Sequence, residues 1–386
     1  MRVLYSFPTR LGVSGIGMTA WHQVSGAAEH GAEVTVLCAS NERPLPPGIR
    51  VIETLRPAGL KVPFRVVGYL RALDWHDRRA AAALRRLAGR IDLVHAWPLR
   101  SEWLLATARR LGVPSVLERP NAHTGFAFDA VEKVCADLGI PVDPSSPHAR
   151  QPEKLAIEER EYALADRLLC PSDFVARTFL DAGTPASRLL RHRYGYDPGR
   201  FHAEGRDDSG RPFTVGFVGR GEPRKGLHDA LRAWLRCGAA DAGGRFVIAG
   251  AIEPGYRRVV EELLAHPSVT EAGHVPDPAA LMRDCDVLVL PSVEEGSALV
   301  TYEARACGCV LVVSDHSGAP GTDGVDVLFH PAGDVDALTE RLRSLWTDTA
   351  LLARLRTESL REAGKLTWSA AGAVLTGAYR EAAGTP

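Results

Sequence analysis

The sequence lacks the cysteine pairs from which a disulfide framework or a zinc ribbon is built. Its seven cysteines are odd in number and scattered, and no Cys-x-x-Cys pair occurs. Thiols of this kind are typical of a reducing compartment, so we predict a cytoplasmic protein.

An excess of charge of one sign is also missing, as are long apolar runs. The 46 Lys and Arg residues against 47 Asp and Glu residues give a net charge of −1, which excludes a global basic field for nucleic acid. No uncharged apolar run approaches the length of a membrane span. The apolar N-terminus is interrupted by Pro8 and Arg10, so it is too short for a signal peptide and predicts a first strand.

What the chain does contain is alternation between short apolar runs and helical patterns. Its 386 residues, 45% of them hydrophobic, are enough for two domains. The apolar runs lie at 2–7, 33–39, 91–97, 115–118, 167–172, 212–219, 245–250, 286–292 and 309–315. Strands separated by helices predict an α/β fold of two doubly wound parallel-sheet, Rossmann-like domains facing a cleft. We place the first at 1–195 and the second at 196–365.

One segment, 121–165, breaks this alternation. It combines helical patterns with a Pro/Ser-rich link, IPVDPSSP. We interpret it as an excursion near the edge of the first sheet.

The most informative stretch is LPSVEEGSALVTYEARACGCVLVVSD at 290–315. A buried strand ends there and is followed by a helix. The helix start carries Gly296, Ser297, Ala298 and Leu299. Small residues at that place let backbone N–H groups approach a diphosphate, which the positive end of the helix dipole also attracts.

Two carboxylates in the same stretch, Glu295 and Glu303, stand eight positions apart. On a helix that spacing is about 12 Å, beyond the roughly 5–9.5 Å of glycosidase carboxylate pairs. It suits one carboxylate on the hydroxyls of a donor sugar and the other on ribose hydroxyls. Alone, such a pair is more often two solvated helix carboxylates.

This stretch resembles the E-x7-E signature of the retaining glycosyltransferases of family 4, which have the GT-B fold. FVGRGEPRKGLHDAL at 217–231 is similar to the companion strand-GR-loop-KG-helix element, with Gly219, Arg220 and Lys225 at its marked positions. The resemblance implies that the two cations neutralise the diphosphate and the charge that develops on the leaving group. It implies sugar contact by Glu295 and ribose contact by Glu303.

The resemblance is close over 165–380 and looser before. It implies that 366–386 forms a closing helix that returns to the first domain. It also implies a His near the donor sugar, at the end of strand 115–118. Pro120 takes that place in the simplest alignment, so His123 or Asn121 would substitute after a local shift, and we favour His123.

Other first-domain candidates have equally plausible structural roles. Gly15 and Gly17 lie in a Gly-rich turn that fits either a loop over phosphates and acceptor or a plain turn. His95, Glu118 and Arg119 stand at strand ends, where they would face the acceptor or pair within the fold.

Two further patterns have dominant structural interpretations. Asp284-Cys285-Asp286 mimics the DxD metal motif, but it opens a strand at the foot of the sheet, so we predict no metal site. The basic stretch 77–90 suits an anionic membrane surface, although an exposed domain face is the stronger interpretation.

We therefore predict a metal-independent, retaining glycosyltransferase without a cofactor. It would move a hexose-type sugar from a UDP-linked donor, preferred over GDP, to a hydroxyl of a small-molecule, glycan or lipid-linked acceptor. The alternatives are a sugar-nucleotide epimerase on the same fold and a non-catalytic sugar-nucleotide-binding module. The acceptor and the oligomeric state stay open.

Overall fold

The computed structural model describes residues 1–55 and 68–384. Within them the chain forms two compact units, and each unit is made of several segments. Unit 1 consists of Met1–Pro120, Gln151–Tyr194 and Trp368–Pro386, and unit 2 consists of Asn121–Arg150 and Gly195–Thr367.

Unit 1 is built on a parallel sheet of seven strands. The strands are β1 (Arg2–Leu11), β2 (Glu33–Asn41), β3 (Arg50–Glu53), β4 (Leu93–Ala96), β5 (Ser115–Glu118), β6 (Arg167–Cys170) and β7 (Leu189–Arg191). Their order in the sheet is β3-β2-β1-β4-β5-β6-β7, and every pairing is parallel. Central strands such as β4 are buried over their whole length, as expected of a sheet covered on both faces.

Helices cover this sheet. They are α1 (Ile16–Glu29), α2 (Tyr69–Arg86), α3 (Glu102–Leu111), α5 (Pro152–Leu164), α6 (Asp173–Asp181) and the last helix, α13 (Trp368–Ala382); α4, described below, belongs to unit 2. Helices α1 and α13 cross at Gly26 and Gly372, where a Cβ on Gly372 would lie 2.6 Å from the Gly26 Cα. Glycine at both positions therefore lets the two backbones touch.

Unit 2 repeats the architecture with six parallel strands. They are β8 (Thr214–Val218), β9 (Arg245–Ala249), β10 (Val269–Gly273), β11 (Val287–Leu290), β12 (Val310–Ser314) and β13 (Leu328–His330), in the order β10-β9-β8-β11-β12-β13. The helices are α4 (Thr124–Asp137), α7 (Leu227–Arg236), α8 (Pro254–Leu264), α9 (Pro278–Arg283), α10 (Leu299–Ala306), α11 (Val335–Thr347) and α12 (Thr349–Ala363). Two parallel doubly wound sheets confirm the predicted fold class.

The structure differs from the sequence prediction at the sheet edges and in one segment. Strands β3, β7, β10 and β13 were not predicted, because they have only three to five residues and lie at or near an edge. Most of the predicted excursion, Asn121–Arg150, belongs to unit 2 and only its remainder to unit 1. The reason is physical: α4 packs on the short 3-10 helix Pro223–Lys225 of unit 2.

The basic stretch 77–90 lies mostly on α2, which buries Ala72, Leu73, Ala80 and Leu84 and turns its arginines outward. Its exposed face is thus established, while a membrane role for that face stays a prediction. None of the helices in 1–55 and 68–384 is long and apolar enough to cross a bilayer. The seven cysteines are buried thiols.

Candidate functional site

Glu295 lies in the loop that follows β11, and only 7% of the residue is exposed. Three groups hold its carboxylate. Ser292 Oγ donates to Oε1 at 3.2 Å, Arg224 Nη1 lies 3.2 Å from Oε1, and the Lys225 ammonium forms an ion pair with the same oxygen. Burial alone would raise the pKa of Glu295, yet the charges of Arg224 and Lys225 lower it to about 2. The carboxylate is therefore ionised, and it forms ion pairs with two cations.

Lys225 reaches Glu295 because its loop docks on the end of β11. Gly226 has φ 70°, and a Cβ there would lie 2.3 Å from the Pro291 carbonyl oxygen. Only glycine fits both the left-handed backbone and the close approach. The Val293 N–H also donates to the Arg224 carbonyl at 2.9 Å. The predicted KG element and the predicted Glu loop are thus joined backbone to backbone.

Arg220, the other predicted cation, has a different environment. Its side chain is 63% exposed and pairs with Glu253 at 2.8 Å. It lies at a cavity of about 240 Å³ whose lining also includes Arg224 and His148. Gly219 precedes it, and a Cβ on the neighbouring Gly250 would come within 1.9 Å of the Gly219 oxygen. The two predicted cations are held by different carboxylates.

The predicted diphosphate-binding helix start is partly occupied by internal bonds. Ser297 Oγ donates to the Gly318 carbonyl at 2.9 Å and lies 2.7 Å from the Tyr302 hydroxyl. The Ala298 N–H donates to Ser317 at 3.2 Å. The Ser297 hydroxyl and the Ala298 N–H are therefore engaged within the turn. The first backbone N–H groups of a helix have no partner within the helix. In α10 these groups begin at Leu299, its first residue, and Gly296 lies in the turn before it.

Glu303 lies on α10, about one turn beyond Leu299. It is half-buried, and burial raises its pKa to about 7, opposed by the charge of Arg200. Within residues 1–55 and 68–384 no hydrogen bond or ion pair engages its carboxylate. An acidic group that has lost water without gaining a partner is typical of a ligand site.

His123 is the N-cap of α4, and its Nδ1 accepts the Gly125 N–H at 3.2 Å. A neutral imidazole that accepts at Nδ1 carries its proton on Nε2, so this ring presents an Nε2–H donor. Asn121, the weaker candidate, is exposed. Both residues belong to unit 2 together with Glu295.

The first-unit glycines form a tight turn. Gly15 has φ 82° and precedes α1. A Cβ on Gly17 would lie 2.5 Å from the Arg10 carbonyl oxygen. Steric demand of the fold explains why residue 17 is glycine, whereas the space around a Cβ on Gly15 is open. The ligand contact of Gly15 and Gly17 stays a prediction.

Three predicted acceptor-side residues are enclosed by protein, and this corrects the expectation. His95 and Glu118 are 0% exposed and Arg119 is 2% exposed. Arg119 Nη2 donates to Glu158 at 2.9 Å, and its guanidinium lies over the Tyr162 ring. An acceptor cannot reach side chains that have no surface, so these three support the ends of their strands.

Glu118 sits at the centre of a buried polar network. The Gln23 amide and the Tyr194 hydroxyl donate to its two oxygens at 3.0 and 2.8 Å. His192 Nε2 and His95 Nε2 lie 3.0 and 3.5 Å from them. Burial would raise the pKa of Glu118, but the two imidazoles lower it below its usual range. His95 Nδ1 in turn contacts the Tyr379 hydroxyl of α13 at 2.6 Å.

Two residues of the site were missed from the sequence. Arg224 lies next to the predicted Lys225 and contacts Glu222, Glu294 and Glu295. Glu294 lies next to the predicted Glu295 and is fully buried. The doubled cation in EPRKG and the doubled acid in VEEG were the available signals.

The sequence Asp284-Cys285-Asp286, which mimics a DxD metal motif, has a structural role through Asp286. Asp286 accepts the Thr214 N–H at 2.9 Å and forms ion pairs with Arg206, Arg211 and Arg356. A carboxylate matched by three guanidinium groups stabilises the foot of the unit 2 sheet.

Family models match both units. The model described as "Glycosyl transferase 4-like domain" matches residues 14–195, and the model "Glycosyl transferases group 1" matches residues 212–348. Among curated proteins, the chain is similar to D-inositol 3-phosphate glycosyltransferase of Mycobacterium tuberculosis strain H37Rv. The two are 28% identical over 401 aligned residues, which cover 92% of this chain and 76% of the relative.

Solved structures share the fold. Sucrose-phosphate synthase from Thermosynechococcus elongatus has a TM-score of 0.69 and 18% identity, over 98% of both chains. HepE from Anabaena, solved in complex with UDP-glucose, has a TM-score of 0.64 and 17% identity, again over 98% of both chains. These similarities extend over both units.

Proposed function

The chain belongs to the family-4-type glycosyltransferases with the GT-B fold, and from that premise we propose that it transfers a hexose-type sugar from a nucleotide-diphosphate donor with retention of configuration. The observation that carries the proposal is the ionised Glu295 held by Lys225 and Arg224 at the carboxyl end of β11. Ligands of open α/β sheets bind at that end of the strands.

The reaction we propose is a front-face substitution. The bond between the anomeric carbon and the donor phosphate oxygen breaks, and a bond between that carbon and an acceptor hydroxyl oxygen forms. The acceptor proton passes to the departing phosphate oxygen. Arg220 and Lys225 would neutralise the leaving diphosphate, since cations aimed at developing charge lower the barrier most. No divalent ion is required in this scheme.

In this proposal, residues of unit 2 bind the sugar, the diphosphate and the ribose of the donor. Glu295 and His123 would bind sugar hydroxyls, the N–H groups from Leu299 would meet the diphosphate, and Glu303 would bind the ribose. The half-buried Glu303 without a partner among the described residues supports this. UDP is our preferred nucleotide, in keeping with the UDP-glucose complex of HepE. Two of the similar proteins are named for phosphorylated products or acceptors, so sugar phosphates and inositol phosphates enter the acceptor panel.

The first experiment is a thermal-shift panel of UDP, GDP and their hexose conjugates. A nucleotide at 100 times its dissociation constant stabilises the protein by about 2.7 kcal/mol, which selects the donor. Transfer is then followed by NMR on the anomeric coupling of the product, with and without EDTA.

The expected result is an α-linked product from an α-linked donor and turnover that EDTA leaves nearly intact. A β-linked product would overturn retention, and activity restored only by Mg²⁺ or Mn²⁺ would overturn metal independence. An isomerised donor without acceptor would identify an epimerase, and binding without any turnover would identify a binding module.

A further inference from the structure

Glu294 is a buried carboxylate for which the proposed chemistry has no direct use. It is 0% exposed and stands immediately before Glu295 in the loop after β11. An ionised carboxylate taken out of water destabilises a fold unless hydrogen bonds and opposite charges compensate it. Its partners therefore indicate what it does.

The partners come from two separate parts of unit 2. Oε1 accepts the Ala122 N–H at 3.1 Å, across 172 positions of sequence. Oε2 lies 3.4 Å from Arg224 Nη1 and 3.7 Å from His148 Nδ1. Arg224 Nη1 also donates to the Glu294 carbonyl at 2.8 Å, so this arginine is bound to both ends of the residue.

The residues next to Ala122 and Glu294 in the sequence indicate the role of their contact. Ala122 is followed by His123, and Glu294 is followed by Glu295; both followers are predicted to bind the donor sugar. The imidazole of His123 is itself fixed by the Gly125 N–H at 3.2 Å. A single carboxylate thus ties the backbone next to one sugar-binding side chain to the backbone next to the other.

Arg224 completes the connection. It spans Glu294 and Glu295, at 3.4 and 3.2 Å, and Glu222 at 2.9 Å. The four-residue set Glu222, Arg224, Glu294 and Glu295 has one guanidinium among three carboxylates, so its geometry is defined by that guanidinium.

We propose that Glu294 is a positioning residue that holds the segment starting at Ala122 in register with the Glu295 loop, so that His123 and Glu295 meet the same donor sugar. The inference rests on the proposed function, which supplies the sugar contacts of His123 and Glu295. A displacement of about 1 Å at a reacting centre lowers rate by about 10²-fold, so loss of the register reduces kcat while leaving nucleotide contacts in place.

Two substitutions separate the parts of this role. Glu294→Gln keeps an oxygen for the Ala122 N–H but removes the charge that faces Arg224 and His148. Glu294→Leu removes both. Glu222→Gln is the matched control, since it also takes a carboxylate from Arg224 but has no contact with Ala122. UDP affinity is measured by calorimetry, and turnover is measured with UDP-glucose, or with GDP-mannose if the thermal-shift panel favours guanine.

We expect Glu294→Leu to lower kcat by about 10²-fold with UDP affinity within threefold of the wild type. We expect Glu294→Gln to lose less than Glu294→Leu, and Glu222→Gln less than threefold. Amide exchange in the peptide that contains Ala122 should accelerate in Glu294→Leu and stay unchanged in Glu222→Gln. Glu294→Gln keeps the experiment informative if Glu294→Leu does not fold.

The decisive arm is the double variant with His123→Ala. If Glu294 acts through His123, then Glu294→Gln has no further effect on kcat in that background. Multiplied losses, or a fall in UDP affinity that parallels kcat, would overturn the inference. If His123→Ala and Glu295→Ala both leave turnover intact, the sugar site of the proposed function fails first, and the inference fails with it.

Discussion

Glu118 of unit 1 and Glu295 of unit 2 occupy similar places in two similar sheets, but their surroundings differ. Glu118 is the last residue of β5 and Glu295 follows β11 closely. The first is surrounded by an amide, a tyrosine and two imidazoles, all inside the protein. The second is matched by an arginine and a lysine, and 7% of it remains exposed.

The comparison teaches that a carboxylate at a strand end is defined by its partners. Neutral donors and enclosed imidazoles satisfy Glu118 completely, so nothing is left for a ligand. Arg224 and Lys225 beside Glu295 carry positive charge, which would also attract a diphosphate donor. The same residue type therefore stabilises the fold in one unit and is proposed to bind substrate in the other.

The largest effect that this comparison predicts is on the free energy of unfolding, when Glu118 is replaced. Glu118→Ala removes the acceptor of Gln23 and Tyr194 and the negative charge beside two imidazoles. We expect a loss of about 3–5 kcal/mol in the free energy of unfolding, the usual result of removing one partner from a buried charged network. Urea denaturation measures it, with the exposed Glu153→Ala as control. A loss under about 1 kcal/mol would contradict a structural role for Glu118.

The next effect is on turnover. Lys225→Ala should lower kcat by about 10²–10³-fold, as loss of a donor aimed at developing charge does. The free energy of unfolding should fall less than in Glu118→Ala, because Arg224 and Ser292 still hold Glu295. Steady-state kinetics and urea denaturation on the same variant separate the two. Activity near that of the wild type would show that Lys225 does not act on the leaving group. Glu295 would then have a structural role, as Glu118 has.

A smaller effect is expected on binding. Glu303→Ala should weaken UDP binding by about 1.5–3 kcal/mol, the range for hydrogen bonds to a charged group. Calorimetry with unchanged UDP affinity would take Glu303 out of the site.

The pKa of Glu303 adds a pH test. Burial raises that pKa to about 7, so the carboxylate is protonated below pH 7 and ionised above it. Ribose hydroxyls donate best to the ionised form, so binding of an intact nucleotide sugar should strengthen as pH rises through about 7. Glu303→Gln should abolish that dependence. A pH profile that is the same in both proteins would contradict the assignment.

The smallest effect sharpens the description of the Glu118 network. Tyr379→Phe removes the hydroxyl that contacts His95 Nδ1 at 2.6 Å, for an expected loss of about 1 kcal/mol in stability. The same substitution in the Glu118→Ala background should cost less, because the network is already open. Additive losses would show that α13 and Glu118 are independent.

Much of the fold was predictable because buried central strands produce uniform apolar runs. The runs at 2–7, 33–39 and 286–292 correspond to β1, β2 and β11. Edge strands such as β10 are short and exposed, so they lack that signature. The segment Asn121–Arg150 was misplaced because its partners lie in unit 2, and helical periodicity says nothing about which sheet a helix packs on.

The candidate site was predictable where a motif marks single positions. Lys225 and Glu295 were predicted, and the structure brings them together. Arg224 and Glu294 were missed, because sequence alone does not tell that both of two adjacent like residues are enclosed. His95 and Glu118 were expected near a ligand because polar residues at strand ends suggest one. Their true partners are Gln23 and Tyr194 for Glu118 and Tyr379 for His95, which lie 76 to 284 positions away in the sequence.

The division of the chain into units has a consequence for how the protein is made. The chain passes between the units four times, at Pro120, Arg150, Tyr194 and Thr367. Helix α13, which supplies the backbone contact at Gly372 and the Tyr379 hydroxyl to unit 1, is synthesised after the whole of unit 2. On a ribosome, unit 1 therefore begins before unit 2 and is completed only after it. A cut at residue 195 would yield two fragments, each without a helix that its sheet requires.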